Sequence, residues 1–304
     1  MKKYLRAFRN RNVILSLAII LGLLVGQGAQ WTEPFVLPAL IFVMILSMIT
    51  VSGTHFQSPK IWIIPLIGGI VMNYGVLGGL ILLLSQVFPL GTAIRDGFTL
   101  IAAVPPAVAV IPFTIFLNGD LLYSLIGTLG CYLGALFITP TLIWFLIGPG
   151  VDVQILFFTL IELIIIPLIV SRVIQYVKQA ERITPVKGAL TNWSFFVIVY
   201  TVIGLNRDVF LRQPVSLLPI AFIVVIVTFV LGYLIERVGQ YLHLEPMKLT
   251  SLVLLGTYKN TGFAAGLALA LFNQQTALPS TVYTIVMLST IVIYDLKRPH
   301  NDVN

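Results

Sequence analysis

The chain has 304 residues, of which 58% are hydrophobic and only 10% charged, and its mean hydropathy is +1.02. A soluble domain carries about 25% charged residues, so most of this surface is expected to face lipid rather than water. The net charge of +7 comes from basic residues in short stretches between apolar runs, a topology pattern that argues against nucleic acid as a partner. The single cysteine, Cys131, excludes a disulfide framework and a cysteine-based zinc site.

Five basic residues lie among the first dozen positions and an apolar run, 13–28, follows; a signal peptide has this look, but the many apolar runs downstream favour an uncleaved first membrane helix. The further spans are predicted at 35–53, 61–88, 92–118, 121–148, 153–175, 191–206, 215–240, 247–273 and 277–295. Most meet the roughly 20 apolar residues needed to cross a bilayer. With the N-terminus inside, Lys2, Lys3, Arg6, Arg9, Arg11, Lys60, Arg172, Lys178, Arg182, Lys187, Arg237, Lys248, Lys297 and Arg298 all fall on the inner side. Only Arg95, Arg207 and Arg212 fall outside, which is the asymmetry the positive-inside rule demands. The reading is a ten-span, all-α polytopic membrane protein of a bacterial-type inner membrane, with both termini cytoplasmic.

Segment four carries Pro105 and Pro106 in mid-span, where two backbone donors are lost and a helix is interrupted. Segment nine carries the polar run Tyr258-Lys259-Asn260-Thr261-Gly262 at its centre, closing on a glycine expected to break the helix. Halving the chain into 1–150 and 151–304 puts these interruptions at matching places. Five spans per half then makes the second half an inverted repeat of the first. Irregular backbone at membrane depth survives only where protein or a water-lined cavity satisfies it, and paired interruptions of this kind mark the central site of a secondary transporter.

Lys259 is the charge of greatest interest, because a cation at the bilayer centre costs about 2.5–3.5 kcal/mol even on mild scales. Its ammonium holds the broken helices together, releases a proton during transport, or pairs with helix-end carbonyls as a structural lysine. Glu162, the one acid deep in a span, reads as a substrate contact, a proton site, a partner of Lys259, or a protonated side chain at a helix interface. Asp120 reads as the N-cap of segment five and Asp295 as interfacial. Asn73, Thr114, Asn118, Asn260 and Thr261 are candidate hydrogen-bonding groups, each of which also reads as a helix-to-helix polar contact. The half-helices after each break begin at membrane depth, and helix N-termini attract anions. With Lys259 beside them, the expected substrate is a small carboxylate.

These residues resemble the bile acid:sodium symporter family. The resemblance lies in Pro105-Pro106-Ala107, Gly119-Asp120 and Ser124–Thr128 (SLIGT). It continues in Ile165–Val170 (IIPLIV), the run KNTGFAAGLALALF from Lys259, and an ALP turn at Ala277–Pro279. It implies a core domain of segments 3–5 and 8–10 with segments four and nine crossed, and a panel of segments 1–2 and 6–7. It also implies alternating access and organic-anion substrates. The family's sodium ligands are a Ser-Asn pair where this chain has Val110 and Ile111, and a Glu where it has Leu255. The family's Gln before the segment-nine Asn is Lys259 here. Ser124, Thr128, Asn73 and Asn260 keep polar groups where the family places ligands or their neighbours. The resemblance therefore implies a carrier without the family's sodium chemistry, with Lys259 in place of a sodium ion; no cofactor is expected beyond a coupling H+ or Na+. A sodium-coupled symporter and an auxin-efflux-type permease are the alternatives, as monomer or homodimer. A channel is disfavoured because nothing resembles a repeated filter, and an enzyme because His55, His243 and His300 sit near span ends and no HExxH or GxSxG motif occurs.

Overall fold

The computed structural model describes residues 11–49, 59–107, 109–148, 153–177, 179–212 and 214–297. Lys2, Lys3, Arg6, Arg9, His55, Lys178, Arg298 and His300 lie outside the described residues. Among the described residues the chain is helical, and its one β-type contact is an isolated bridge between Pro106 and Lys259.

The elements are α1 (Arg11–Leu24), α2 (Gly26–Leu46), α3 (Trp62–Val87), α4 (Thr92–Ala103), α5 (Val110–Phe116) and α6 (Leu121–Ile147). After these come α7 (Phe157–Tyr176), α8 (Ala180–Leu205), α9 (Pro214–Tyr241), α10 (Pro246–Leu255), α11 (Thr261–Leu271) and α12 (Gln274–Lys297). Six of them, α2, α3, α6, α7, α8 and α9, are long and apolar enough to cross a membrane. Three shorter apolar helices, Val13–Leu24, Pro246–Leu255 and Thr261–Leu271, accompany them. Side chains exposed on this scaffold include Trp31, Phe137, Phe145, Ile64 and Val87, which suit lipid and not water.

Three boundaries differ from the sequence expectation. Helix α8 begins at Ala180, eleven residues before the apolar run at 191. Arg182 and Lys187 therefore ride on helix instead of loop, because polar residues extend a helix without any apolar signal. The Ala277–Pro279 stretch is not a turn: Pro279 lies inside α12, in its second turn. Gly262 is likewise inside α11, and the break of segment nine precedes it.

Packing separates two groups. Helix α8 lies along α1 and α2, and α7 packs on α2. In the other group α3 pairs with α6, α4 with α6 and α12, α9 with α10, and α11 with α12. The α3–α6 contact needs glycine: a Cβ on Gly69 would come within 2.7 Å of the Gly127 backbone, the close approach that small residues allow between membrane helices. Contacts of α8 with α11 and α12, and of α7 with α11, join the groups beside the breaks.

Candidate functional site

Helix α4 stops because Val104 precedes a proline. Proline disfavours helical geometry in the residue before it, and Val104 is extended at φ −79°, ψ 156°. Helix α10 stops at Gly256 with no proline nearby, and α11 restarts at Asn260, whose side chain accepts from the Phe263 amide at 3.0 Å. The two gaps cross and pair. Ala107 N–H donates to Tyr258 O, and Asn260 N–H donates to Pro105 O, both at 3.0 Å. Phe113 of α5 packs edge-on against Tyr258 at 5.5 Å.

Each helix end leaves carbonyls without intrahelical donors, and at membrane depth they must be met by protein. Here they are. Lys259 Nζ donates to Ala102 O and Val104 O at 2.8 Å each, Thr139 Oγ1 to Ala103 O at 2.7 Å, and Tyr132 Oη to Pro106 O at 3.0 Å. Across the crossing, Asn73 Nδ2 donates to Leu255 O at 3.3 Å and Tyr283 Oη to Thr257 O at 2.8 Å.

Lys259 is fully buried. Its third bond goes to Asn73 Oδ1 at 2.8 Å, so all three ammonium donors are used, and the nitrogen stands 4.7 Å from the centre of the Tyr74 ring. Its acceptors are neutral oxygens, two of them from the C-terminal end of α4, where the helix dipole is negative. Asn73 and Tyr74 both belong to a wide π-type stretch of α3, Val71–Gly78, and such widened turns often occur at functional sites.

The other sequence candidates are distributed around this centre. Asn260 caps α11 and donates to Tyr132 Oη at 2.9 Å. Thr261 accepts from Thr284 Oγ1 at 2.8 Å. Thr114 donates to Ser124 Oγ at 2.7 Å and to Val110 O at 2.8 Å, joining α5 to α6. Thr128, one turn beyond Ser124 and 3% exposed, has a hydroxyl with no hydrogen-bond partner. Asp120 caps α6 by accepting from Tyr123 N at 3.0 Å. Asn118 is exposed, with φ 54°. Glu162 stands apart: it is exposed on α7, in the wide turn Ile161–Ile165, while the ammonium of Lys259 is buried among Asn73 and two carbonyls.

The sequence reading missed Tyr132, Thr139, Tyr74 and Tyr283. A signal for two of them existed. Ser124, Thr128, Tyr132 and Thr139 recur at three- to four-residue multiples along apolar α6, and that spacing puts them on one face.

A cavity of about 40 Å³ opens between the two helix groups at the crossing. It is lined by Leu15, Phe195 and Val202 from α1 and α8, and by Lys259, Asn260 and Thr261 from the second break. That volume holds about one to three waters, so an organic substrate requires the groups to separate. Beside it Asn260 already satisfies the Phe263 and Ala264 amides, while the start of α11 faces the space.

No curated protein matches the chain. Residues 37–213 match the model of the Sodium Bile acid symporter family. The match takes in the first break and ends before the second. Transporters, not enzymes, make up that family, in keeping with an apolar helical chain whose most elaborate polar cluster sits between two interrupted helices. With more than half of its length matched, the chain belongs to the Sodium Bile acid symporter family.

Proposed function

We propose that the chain is a secondary active transporter of small organic anions that works by alternating access without sodium, with the Lys259 ammonium standing where a sodium ion would otherwise sit. The observation that carries this reading is the set of three 2.8 Å bonds from Lys259 Nζ to Asn73 Oδ1, Ala102 O and Val104 O. A nest of neutral oxygens with no carboxylate is suited to one monovalent cation, and here the cation is covalently attached. The anion preference draws on the N-terminal end of α11 at the cavity, where the helix dipole is positive. Thr261 and Thr284 are hydroxyl groups at the same place.

In this reading the halves 1–150 and 151–304 are inverted repeats giving ten crossings. The group α1, α2, α7 and α8 is the panel, and the rest is the core. Transport opens the small cavity by moving α1 and α8 away from α11 and α12, first toward one side of a bacterial-type inner membrane and then toward the other. Both termini are cytoplasmic. Glu162, on the panel, is assigned no contact with substrate in the closed arrangement.

The test pairs uptake with stability. Purified protein in liposomes should take up carboxylates at the same rate with sodium or choline outside. The melting temperature of the native protein should also ignore the exchange of choline for sodium. In Lys259→Ala the oxygen nest loses its cation, so sodium should now raise the melting temperature by about 2 °C or more, through binding to the native state. Uptake by the native protein that requires a sodium gradient would overturn the reading. A sodium-coupled alternative draws on one observation, the unpartnered Thr128 hydroxyl beside the Thr114–Ser124 pair, and the same exchange of ions decides it.

A further inference from the structure

The crossing has a second approach. A groove of about 540 Å³ runs between α9 and α10 from the 242–245 loop inward, and it ends at Thr257 and Tyr258, the two residues before Lys259. At about 30 Å³ per water, it holds well over a dozen. Its lining differs in kind from that of the cavity between the helix groups. Glu236 is the one charged side chain among the described residues that line it, with Gln240 one turn away and Thr250, Thr257 and Thr228 deeper in.

Thr228 gives the sharpest sign that the groove is meant to be wet. It is 6% exposed and lies in the wide turn Ile226–Val230 of α9. Its hydroxyl neighbours that of Tyr283, whose own proton is committed to Thr257 O, and no hydrogen bond of good geometry reaches it. A buried hydroxyl so weakly met is costly, and water in the groove would complete its bonding. Acyl chains would not.

The electrostatics favour cations. Glu236 accepts one bond, from Gln240 Nε2 at 3.4 Å, and keeps its remaining lone pairs for the groove. The nearby bases are engaged elsewhere: Arg237 lies over the Tyr233 ring at 5.0 Å, and Lys248 pairs with Glu245 at 2.9 Å. The inner end of the groove abuts the C-terminal end of α10, the negative pole of that helix. The opposite side of the same break presents the N-terminal end of α11 to the other cavity.

We propose that the groove between α9 and α10 is a water-filled vestibule that admits small monovalent cations, selected by Glu236, to the back of the crossing. It is separate from the cavity assigned to the substrate and stands whether or not that substrate is an anion. Cysteine labelling tests it, because the native Cys131 is fully buried and gives no background. Thr250→Cys and Val253→Cys line the groove, and Leu234→Cys, on the exposed face of α9, is the control at similar depth. Each is treated in liposomes with a quaternary-ammonium methanethiosulfonate and its sulfonate counterpart, each rate normalised to a free thiol.

Both groove cysteines should react and Leu234→Cys should not, with the cationic reagent favoured about fivefold or more. Adding Glu236→Gln to Thr250→Cys should bring that preference close to one. Groove cysteines that react only with a lipid-soluble maleimide would show that lipid fills the space and overturn the proposal. An anionic reagent that reacts as fast as the cationic one would overturn it too, as would a preference untouched by Glu236→Gln.

Discussion

The break between α4 and α5 is written into the covalent chain, whereas the break between α10 and α11 is held by side chains. Pro105 and Pro106 have no N–H, so the first break carries carbonyls in excess of donors, and every carbonyl from Ala102 to Pro106 is met from outside its own helix. The second break keeps its own amides. It is fixed by the Asn260 cap, by two backbone bonds across the crossing and by the reach of Lys259. The difference explains the lysine. A double proline gathers unpaired oxygens in the membrane and makes a place for a cation, and the facing break supplies one. Neither break is complete alone, since donors on each meet acceptors on the other.

Removing Lys259 is the hardest blow to this arrangement. Lys259→Ala leaves Ala102 O, Val104 O and Asn73 Oδ1 buried without donors, at about 1–3 kcal/mol each before water or ions relax the site. A net loss of about 3–5 kcal/mol is expected, from three unmet neutral acceptors partly relieved by water. It should be read from thermal unfolding in detergent, in choline. A loss below about 1 kcal/mol would mean that the first break does not depend on the second.

Asn260→Ala comes next, at about 2 kcal/mol. It removes the cap of α11 and the donor to Tyr132 together. Tyr132→Phe should cost about half as much, and the double variant less than the sum, because Asn260, Tyr132 and Pro106 O form one chain of bonds. Additive losses in a double-mutant cycle would break that chain into independent contacts.

Pro106→Ala should matter less. Pro105 still terminates α4, and Lys259, Thr139 and Tyr132 still hold the carbonyls, so only the stiffness of the unfolded chain is lost, worth about 0.4–1 kcal/mol. Should Pro106→Ala prove costlier than Asn260→Ala, covalent stiffness and not side-chain capping governs the crossing.

How much of this was legible beforehand follows from the same contrast. A proline pair announces itself in any sequence, and a lysine in an apolar run does so almost as loudly, so the first break and Lys259 are legible from the residues, while their crossing is implied only by the family resemblance. The polar run Tyr258–Gly262 points to the second break but runs past its end, because a cap by Asn260 looks locally like any polar residue and α11 already starts at Thr261. That Lys259 meets helix-end carbonyls is one of the roles its place in an apolar run suggests, but which carbonyls, Ala102 O and Val104 O, is not legible, since backbone carbonyls carry no residue label. Helix boundaries failed where polar residues continue a helix, as at Ala180 in α8. Glu162 drew attention as a lone acid, but no periodicity said which face of α7 it would occupy. The polar face of α6 was readable in principle, and only two of its members were picked.

Thr128 gives the smallest expected effect and the finest discrimination. Its hydroxyl is buried on α6 without a partner, next to Gly127, against which Leu255 packs. If the built-in ammonium has replaced the cation chemistry of the crossing, this hydroxyl does nothing for the native state, and replacing it by a methyl of nearly the same shape relieves a desolvated polar group. Thr128→Val should then leave stability unchanged or raise it by up to about 1 kcal/mol, while Thr114→Val, which breaks the bond to Ser124, should cost about 1 kcal/mol. Both are measured as melting temperatures in sodium and in choline. A hydroxyl that binds sodium behaves otherwise: the native protein would melt higher in sodium, and Thr128→Val would erase that difference. The same pair of melts therefore separates a vestigial oxygen from a working ligand, and tells whether the lysine at the second break has taken over all of the work of the ion or only part of it.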